Sequence, residues 1–242
     1  VAKLVKSSRR LWPALFTLAG CALLVLLGVW QLHRLTWKQH VIGQIETRAR
    51  AGPETLPAQE TWPSLRPDDY DYRHVRTQGQ FENDKETLVL HPSGSEPGYH
   101  VLTPLRLTSG GYVIVNRGFV PARLKDQSTR REGLIEGGTV ITGLMRRPEA
   151  RSFFTPQDDP AKGQWFTRDP EPIARHLGLT PAAPFLIDAD VSPVPGNWPR
   201  GGTAVLKLPN NHLSYAITWF TLAAALFGTF AAYAWKNRTR PA

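Results

Sequence analysis

The run LWPALFTLAGCALLVLLGVWQL, residues 11–32, carries no charge over 22 positions. At a rise of about 1.5 Å per residue it makes a helix of roughly 33 Å, long enough to cross a bilayer. A second run, LSYAITWFTLAAALFGTFAAYAW, residues 213–235, is uncharged over 23 positions and has no polar face, unlike a helix buried in a soluble protein. A basic start precedes the first run, as in a secretory signal. The run nevertheless exceeds the roughly 7–15 apolar residues of a signal core. It also ends in the bulky Gly28-Val29-Trp30-Gln31-Leu32, where a signal peptidase takes small side chains. Trp30 and Trp235 fall at span ends, where indole rings favour the interface.

Charge orients this anchor. The 242 residues include 29 Lys plus Arg and 20 Asp plus Glu, a formal net charge of +9. Lys3, Lys6, Arg9 and Arg10 precede the first run, Lys236, Arg238 and Arg240 follow the second, and neither tail has an acid. Setting these seven aside leaves 22 positives against 20 acids, so the middle of the chain is not a basic domain built for nucleic acid. Short basic tails place both termini in the cytoplasm. The expected partition is a tail over 1–10, a span over 11–32, an outer periplasmic domain over 33–211, a span over 212–235 and a tail over 236–242. Such tails leave no room for a kinase, a cyclase or a DNA-binding module. Uncharged spans argue against an ion path through a single copy. One cysteine, Cys21, allows no intrachain disulfide and no Cys-pair metal site.

Between the spans, residues 34–50 continue the first helix and 51–67 read as a Pro-rich loop. Short β-type runs follow at 73–81 (RHVRTQGQF), 86–91 (ETLVLH), 99–107 (YHVLTPLRL), 112–116 (YVIVN), 139–146 (TVITGLMR), 185–188 and 204–208. Thr108-Ser109-Gly110-Gly111 between two of them is a hairpin turn, expected at the centre of the domain. Asn116-Arg117-Gly118 is read as a strand end, with Arg117 bracing it through hydrogen bonds to carbonyls. Asp169-Pro170-Glu171-Pro172 opens a short helix that Gly178 closes. The expected fold is membrane α plus outer β: two transmembrane helices flanking a mainly antiparallel barrel or sandwich of six or seven strands with one or two helices, since closure removes open edges.

No GxSxG, HExxH, P-loop or dinucleotide glycine fingerprint is present, so no enzyme chemistry is indicated. Asp158-Asp159 reads as a turn pair. Of seven histidines, His33 and His212 lie at the outer ends of the two spans, where an imidazole can ligate haem iron or simply meet headgroups. On the second helix His212, Tyr215, Ala216 and Trp219 fall on one face. Ala224, Gly228 and Ala232 form a small-residue stripe roughly opposite, expected to pack on the first span.

These residues carry a resemblance. Gly28-Val29-Trp30-Gln31-Leu32 with Arg34, Trp37 and Lys38 resembles the G-x-W-Q-L-x-R-x-x-x-K signature of the surfeit locus protein 1 family of cytochrome c oxidase assembly factors. Residues 98–105 resemble its G-Y-x-V-x-T-P-L strand and residues 113–121 its V-N-R-G-W-V-P strand, with Phe119 in place of Trp. Trp165-Phe166 with Arg168-Asp169 resembles a later W-x-x-x-D element. Residues 210–219 resemble the N-N-H-x-x-Y-A-x-x-W start of span two. The resemblance implies a non-catalytic factor of the bacterial inner membrane. It would bind haem a transiently and assist its insertion into subunit I of the oxidase, taking it from haem a synthase. The expected haem set is His212 on iron, Tyr215 and Trp219 against the ring, and Trp30 and Arg34 beside it; Arg34 and Lys38 either meet the propionates as charge-assisted donors or are ordinary interfacial cations. His33 falls at a variable position of the signature and gains no ligand role. The alternative is a membrane-anchored scaffold for oxidase subunits that never touches haem. Copper delivery is disfavoured by one Cys and one Met.

Overall fold

The structure, a computed structural model, describes residues 2–91, 96–202 and 210–238. It divides into two units, one of Val1–Gln44 with Lys207–Ala242 and one of Ile45–Leu206.

The second unit is a closed β-barrel. Among the described residues its strands are β1 (Glu54–Thr55), β2 (His74–Phe81), β3 (Thr87–His91), β4 (Gly98–Leu107), β5 (Tyr112–Pro121), β6 (Gly138–Arg146) and β7 (Ala182–Ala189). They lie in the order β1-β2-β6-β7-β5-β4-β3, and a further β2–β4 pairing closes the ring. Strand β4 makes that closure by changing partner: Leu102 and the residues before it pair with β3, and residues 105–107 pair with β2. Pro104 sits at the change, where its carbonyl accepts the Glu82 N–H at 2.9 Å and its missing N–H costs no ladder bond. Gly79 faces Leu107 at the seam, and a Cβ there would lie 2.3 Å from the Arg106 carbonyl oxygen. The seam therefore needs a glycine.

Period-two alternation splits the apolar residues between two cores. Val113 and Val115 of β5 and Phe185 and Ile187 of β7 point into the barrel with Trp62, Tyr70, Val75, Leu105 and Met145. Ile114 and Leu186, one residue out of phase, face outward with Val89, Leu102 and Trp165. There Ile173 and Ala174 of the helix Pro170–His176 cover them. That helix begins as expected, with the Asp169 carboxylate accepting the Glu171 N–H at 3.1 Å.

The antiparallel expectation holds for most pairings. The exceptions are β1–β2 and β5–β7, which are parallel. The hairpin at Gly110-Gly111 forms, with φ of +101° and +73° at the two glycines. Asn116-Arg117-Gly118 is not a strand end. Strand β5 runs on to Pro121 and carries a bulge between Asn116 and Phe119, where two residues of β5 (Arg117 and Gly118) answer one of β4 (Val101). Gly118, at φ +123°, lets the Arg200 carbonyl approach where a Cβ would lie 1.9 Å away, and Phe119 exchanges two 3.0 Å backbone hydrogen bonds with Arg200. The loop read at 51–67 contains β1 and a short 3-10 helix, Gln59–Ser64, and ends where a further helical turn, Pro67–Tyr70, begins. The strand expected at 204–208 lies outside the described residues.

The first unit holds two helices, α1 (Ala2–Arg50) and, last in the chain, His212–Arg238, named αC here. Both are long and apolar enough to cross a membrane. Phe16, Leu18, Leu26 and Phe227 lie well exposed, as lipid-facing side chains would. The packing face of αC differs from the expected one. Ala216 and Ala223 are buried, Cys21 Sγ lies 3.6 Å from the Ala223 carbonyl, and a Cβ on Gly228 would meet no other part of the described structure within 4 Å. Small residues mediate the contact from both helices, but not through the expected stripe: with Ala216 and Ala223 of αC buried, Gly20 of α1 receives Leu226 and Gly28 receives the Phe220 ring. The two glycines form a recess for bulky side chains, whereas the Ala224–Gly228–Ala232 stripe offers only a smooth surface and gains fewer contacts.

Candidate functional site

The start of αC places His212. It is the first residue of the helix, half-buried, and its Nδ1 lies 2.7 Å from Oε1 of Gln31 on α1. Gln31 follows Gly28 by one turn on the same face, so the Gly28–Phe220 contact that packs the helices also brings its amide to the imidazole. Trp219 is half-buried on the packing side, while Tyr215 is 56% exposed and turns away from it. Trp30 is 57% exposed, and the Arg34 guanidinium stacks on the Trp37 ring at 4.0 Å from its centroid. His33 is exposed and Lys38 half-buried. Of the residues expected around a haem, His212 and Trp219 thus share the packing side. Tyr215, Trp30 and Arg34 present outward-facing aromatic and cationic groups. Gln31, a member of the quoted signature, was given no role by sequence reasoning. The signal available was its three-residue spacing from Gly28.

A polar centre lies in the barrel around the β5 bulge. Asn116 donates to Asp188 Oδ1 at 2.7 Å and accepts the Gly118 N–H at 3.1 Å, tying the bulge to β7. Arg117 donates to the Gly133 carbonyl, as expected of a brace, and its guanidinium lies over the Phe81 ring. Burial lowers its pKa to about 10, against the pull of Glu86, so it stays charged at neutral pH. Arg130 makes a bidentate pair with Glu86, with both side chains buried. Asp188 also meets Arg168 at 3.4 Å, and Arg168 pairs with Glu149 at 3.1 Å.

Arg168 leads to a cavity of about 420 Å³ that sequence reasoning missed. His91, His100, Phe154 and Phe166 line it with Arg168 and Glu149. In the β3–β4 ladder His91 faces Gly98 and His100 faces Val89, so the histidines are diagonal neighbours on one face, with ring centroids 4.3 Å apart. Burial, then the Arg168 charge, then His91 push His100 down to about 3, and the first two also lower His91. Both rings are neutral at physiological pH. Among the described residues His100 Nδ1 is buried without a hydrogen-bond partner. On the rim Phe153 and Phe154 stack edge to face, 96% and 89% exposed.

Comparison with known proteins agrees with this layout over most of the chain. A family profile described as the SURF1 family matches residues 18–224. Surfeit locus protein 1 of Homo sapiens is 37% identical over 217 residues, covering 82% of this chain and 70% of its own. The Mus musculus protein of the same name is 34% identical over 215 residues, covering 82% and 68%. That of Gallus gallus is 36% identical over 217 residues, with the same coverage of 82% and 68%. The match runs through the bulge, the cavity and the His212–Gln31 pair, and the chain belongs to the SURF1 family.

Proposed function

We propose that this protein is a membrane-anchored assembly factor for haem-copper cytochrome c oxidase. It holds haem a at the start of αC and assists its transfer from haem a synthase to subunit I. In this reading α1 and αC cross the bacterial inner membrane with both termini in the cytoplasm, and the barrel lies outside. The single observation that carries the haem assignment is His212: a half-buried imidazole at the end of an apolar helix, one nitrogen already held by Gln31. Such a ring suits an iron ligand, since ligating histidines use one nitrogen while the other is fixed by a hydrogen bond. The exposed Trp30 and Tyr215 supply apolar surface for a macrocycle, and Arg34 supplies a cation at its wet edge. When bound, haem supplies only its own iron and ring. The protein makes and breaks no bond; it orients the cargo and shields it.

A specific observation favours a second reading. The exposed Phe153–Phe154 pair is the kind of surface that meets a protein partner, which fits a scaffold for oxidase subunits that does not bind haem. Purification from a host that makes haem a separates the two. The haem reading expects a Soret band of haem a character that His212→Ala removes or shifts while the barrel still melts cooperatively. A colourless wild-type preparation refutes it and leaves the scaffold.

A further inference from the structure

The haem reading leaves open which imidazole nitrogen meets iron and what fixes the choice. His212 Nδ1 lies 2.7 Å from Gln31 Oε1, a full hydrogen bond between side chains 181 positions apart in sequence. The amide oxygen is an acceptor only, so this contact is a hydrogen bond in the tautomer that carries its proton on Nδ1. A neutral imidazole carries a single ring proton, and Nε2 is then left with a lone pair. Gln31 is itself fixed, because Gly28 one turn earlier is the point where Phe220 seats against α1. The neutrality of the partner matters too: a carboxylate at this position would put a charge inside the uncharged run 11–32.

We propose that Gln31 is a positioning residue for the haem ligand: it accepts the Nδ1 proton of His212, fixes the ring, and presents Nε2 to the iron. This rests on the haem reading above. Gln31 acts through His212 and touches neither the iron nor the macrocycle. The hydrogen bond joins two residues of this chain, so the tautomer it sets can be read before haem is added.

The test uses the full chain in lipid nanodiscs with 15N-labelled histidine, first free of haem and then loaded with haem a. In the haem-free wild type, His212 is expected with Nδ1 protonated and Nε2 bare. Gln31→Leu should move the proton to Nε2, the tautomer that free imidazole side chains favour in water. Gln31→Glu should keep it on Nδ1. After loading, Gln31→Leu should bind haem a about tenfold more weakly, the low end of what removing a partner of a metal ligand costs. The iron–histidine stretching band of the ferrous form should shift. Gln31→Glu should restore the affinity and move that band the opposite way, because a stronger acceptor makes the ligand more basic. A wild-type His212 protonated on Nε2 overturns the proposal, and so does a Gln31→Leu protein with unchanged tautomer, affinity and band. A wild type with Nδ1 protonated that takes up no haem a leaves the hydrogen bond standing and sinks the haem reading, together with the role drawn from it.

Discussion

The barrel and the helix pair bury polar groups in opposite ways. In the barrel, Asp188, Asn116, Arg117, Arg130 and Glu86 are almost fully enclosed, and charge answers charge within a network. In the helix pair the contact is mostly apolar, and its polar contacts are neutral: the Cys21 thiol to the Ala223 carbonyl and, at the end, Gln31 to His212. The difference follows from what each unit packs against. A barrel core can hold ions if hydrogen bonds meet each one, at the cost of strong dependence on every partner. On the proposed reading as membrane spans, two helices meeting lipid gain nothing from apolar burial alone, so fit of shape decides their contact. The histidines repeat the contrast. His100 is neutral because burial and Arg168 deny it a proton, and His212 has one nitrogen occupied by an amide.

The largest effect expected from breaking this contrast lies in the barrel. Arg130→Met removes the buried partner of Glu86 and should destabilise the protein by about 3–5 kcal/mol, read by urea denaturation of the tryptophan signal. A loss under about 1 kcal/mol would mean that Arg117 alone satisfies Glu86. The next effect is pH-dependent. His100 titrates near 3 when folded and near its ordinary 6.5 when unfolded. As pH falls from 6.5 toward 3 the unfolded chain takes up a proton that the folded barrel refuses, so stability should fall by up to about 1.4 kcal/mol per pH unit. Denaturation at pH 7 and pH 5 should show this in the wild type and a smaller drop in His100→Gln; equal drops would show that other groups carry it. The smallest effect sharpens the helix side. Gly28→Val places a Cβ 2.6 Å from the Phe220 ring and should weaken helix pairing by about 1–3 kcal/mol. Gly228→Val, with open space around it, should stay within about 0.5 kcal/mol. SDS titration of the full chain compares the two, and equal sensitivity would show that the Gly28 recess does not hold the pair.

Much of the site's surroundings was legible because it is written locally. The helix cap at Asp169 and the turn at Gly110-Gly111 depend on residues within a few positions, and both formed as expected. Five ordered motifs pointed to the family. The partner of His212 was not legible. An uncharged helix has no polar face to orient it, so the small stripe at Ala224, Gly228 and Ala232 looked as good a contact as any. Nor was the His91–His100 pair, whose nearness depends on the β3–β4 register.

The amino-acid sequence by itself determined the two apolar helices, the β-rich segment between them and the family, because apolar run length, turn chemistry and motif spacing are read along the chain. Tertiary structure alone decided the partner change in β4 that closes the barrel at Gly79, the parallel docking of β7 on β5, and the bulge that sets Asn116 against Asp188. It also decided which side of αC meets α1. Each of these joins residues far apart in sequence, and close approach settled the seam, the bulge and the helix contact: a glycine where two backbones nearly touch, or a glycine recess deep enough for one phenyl ring.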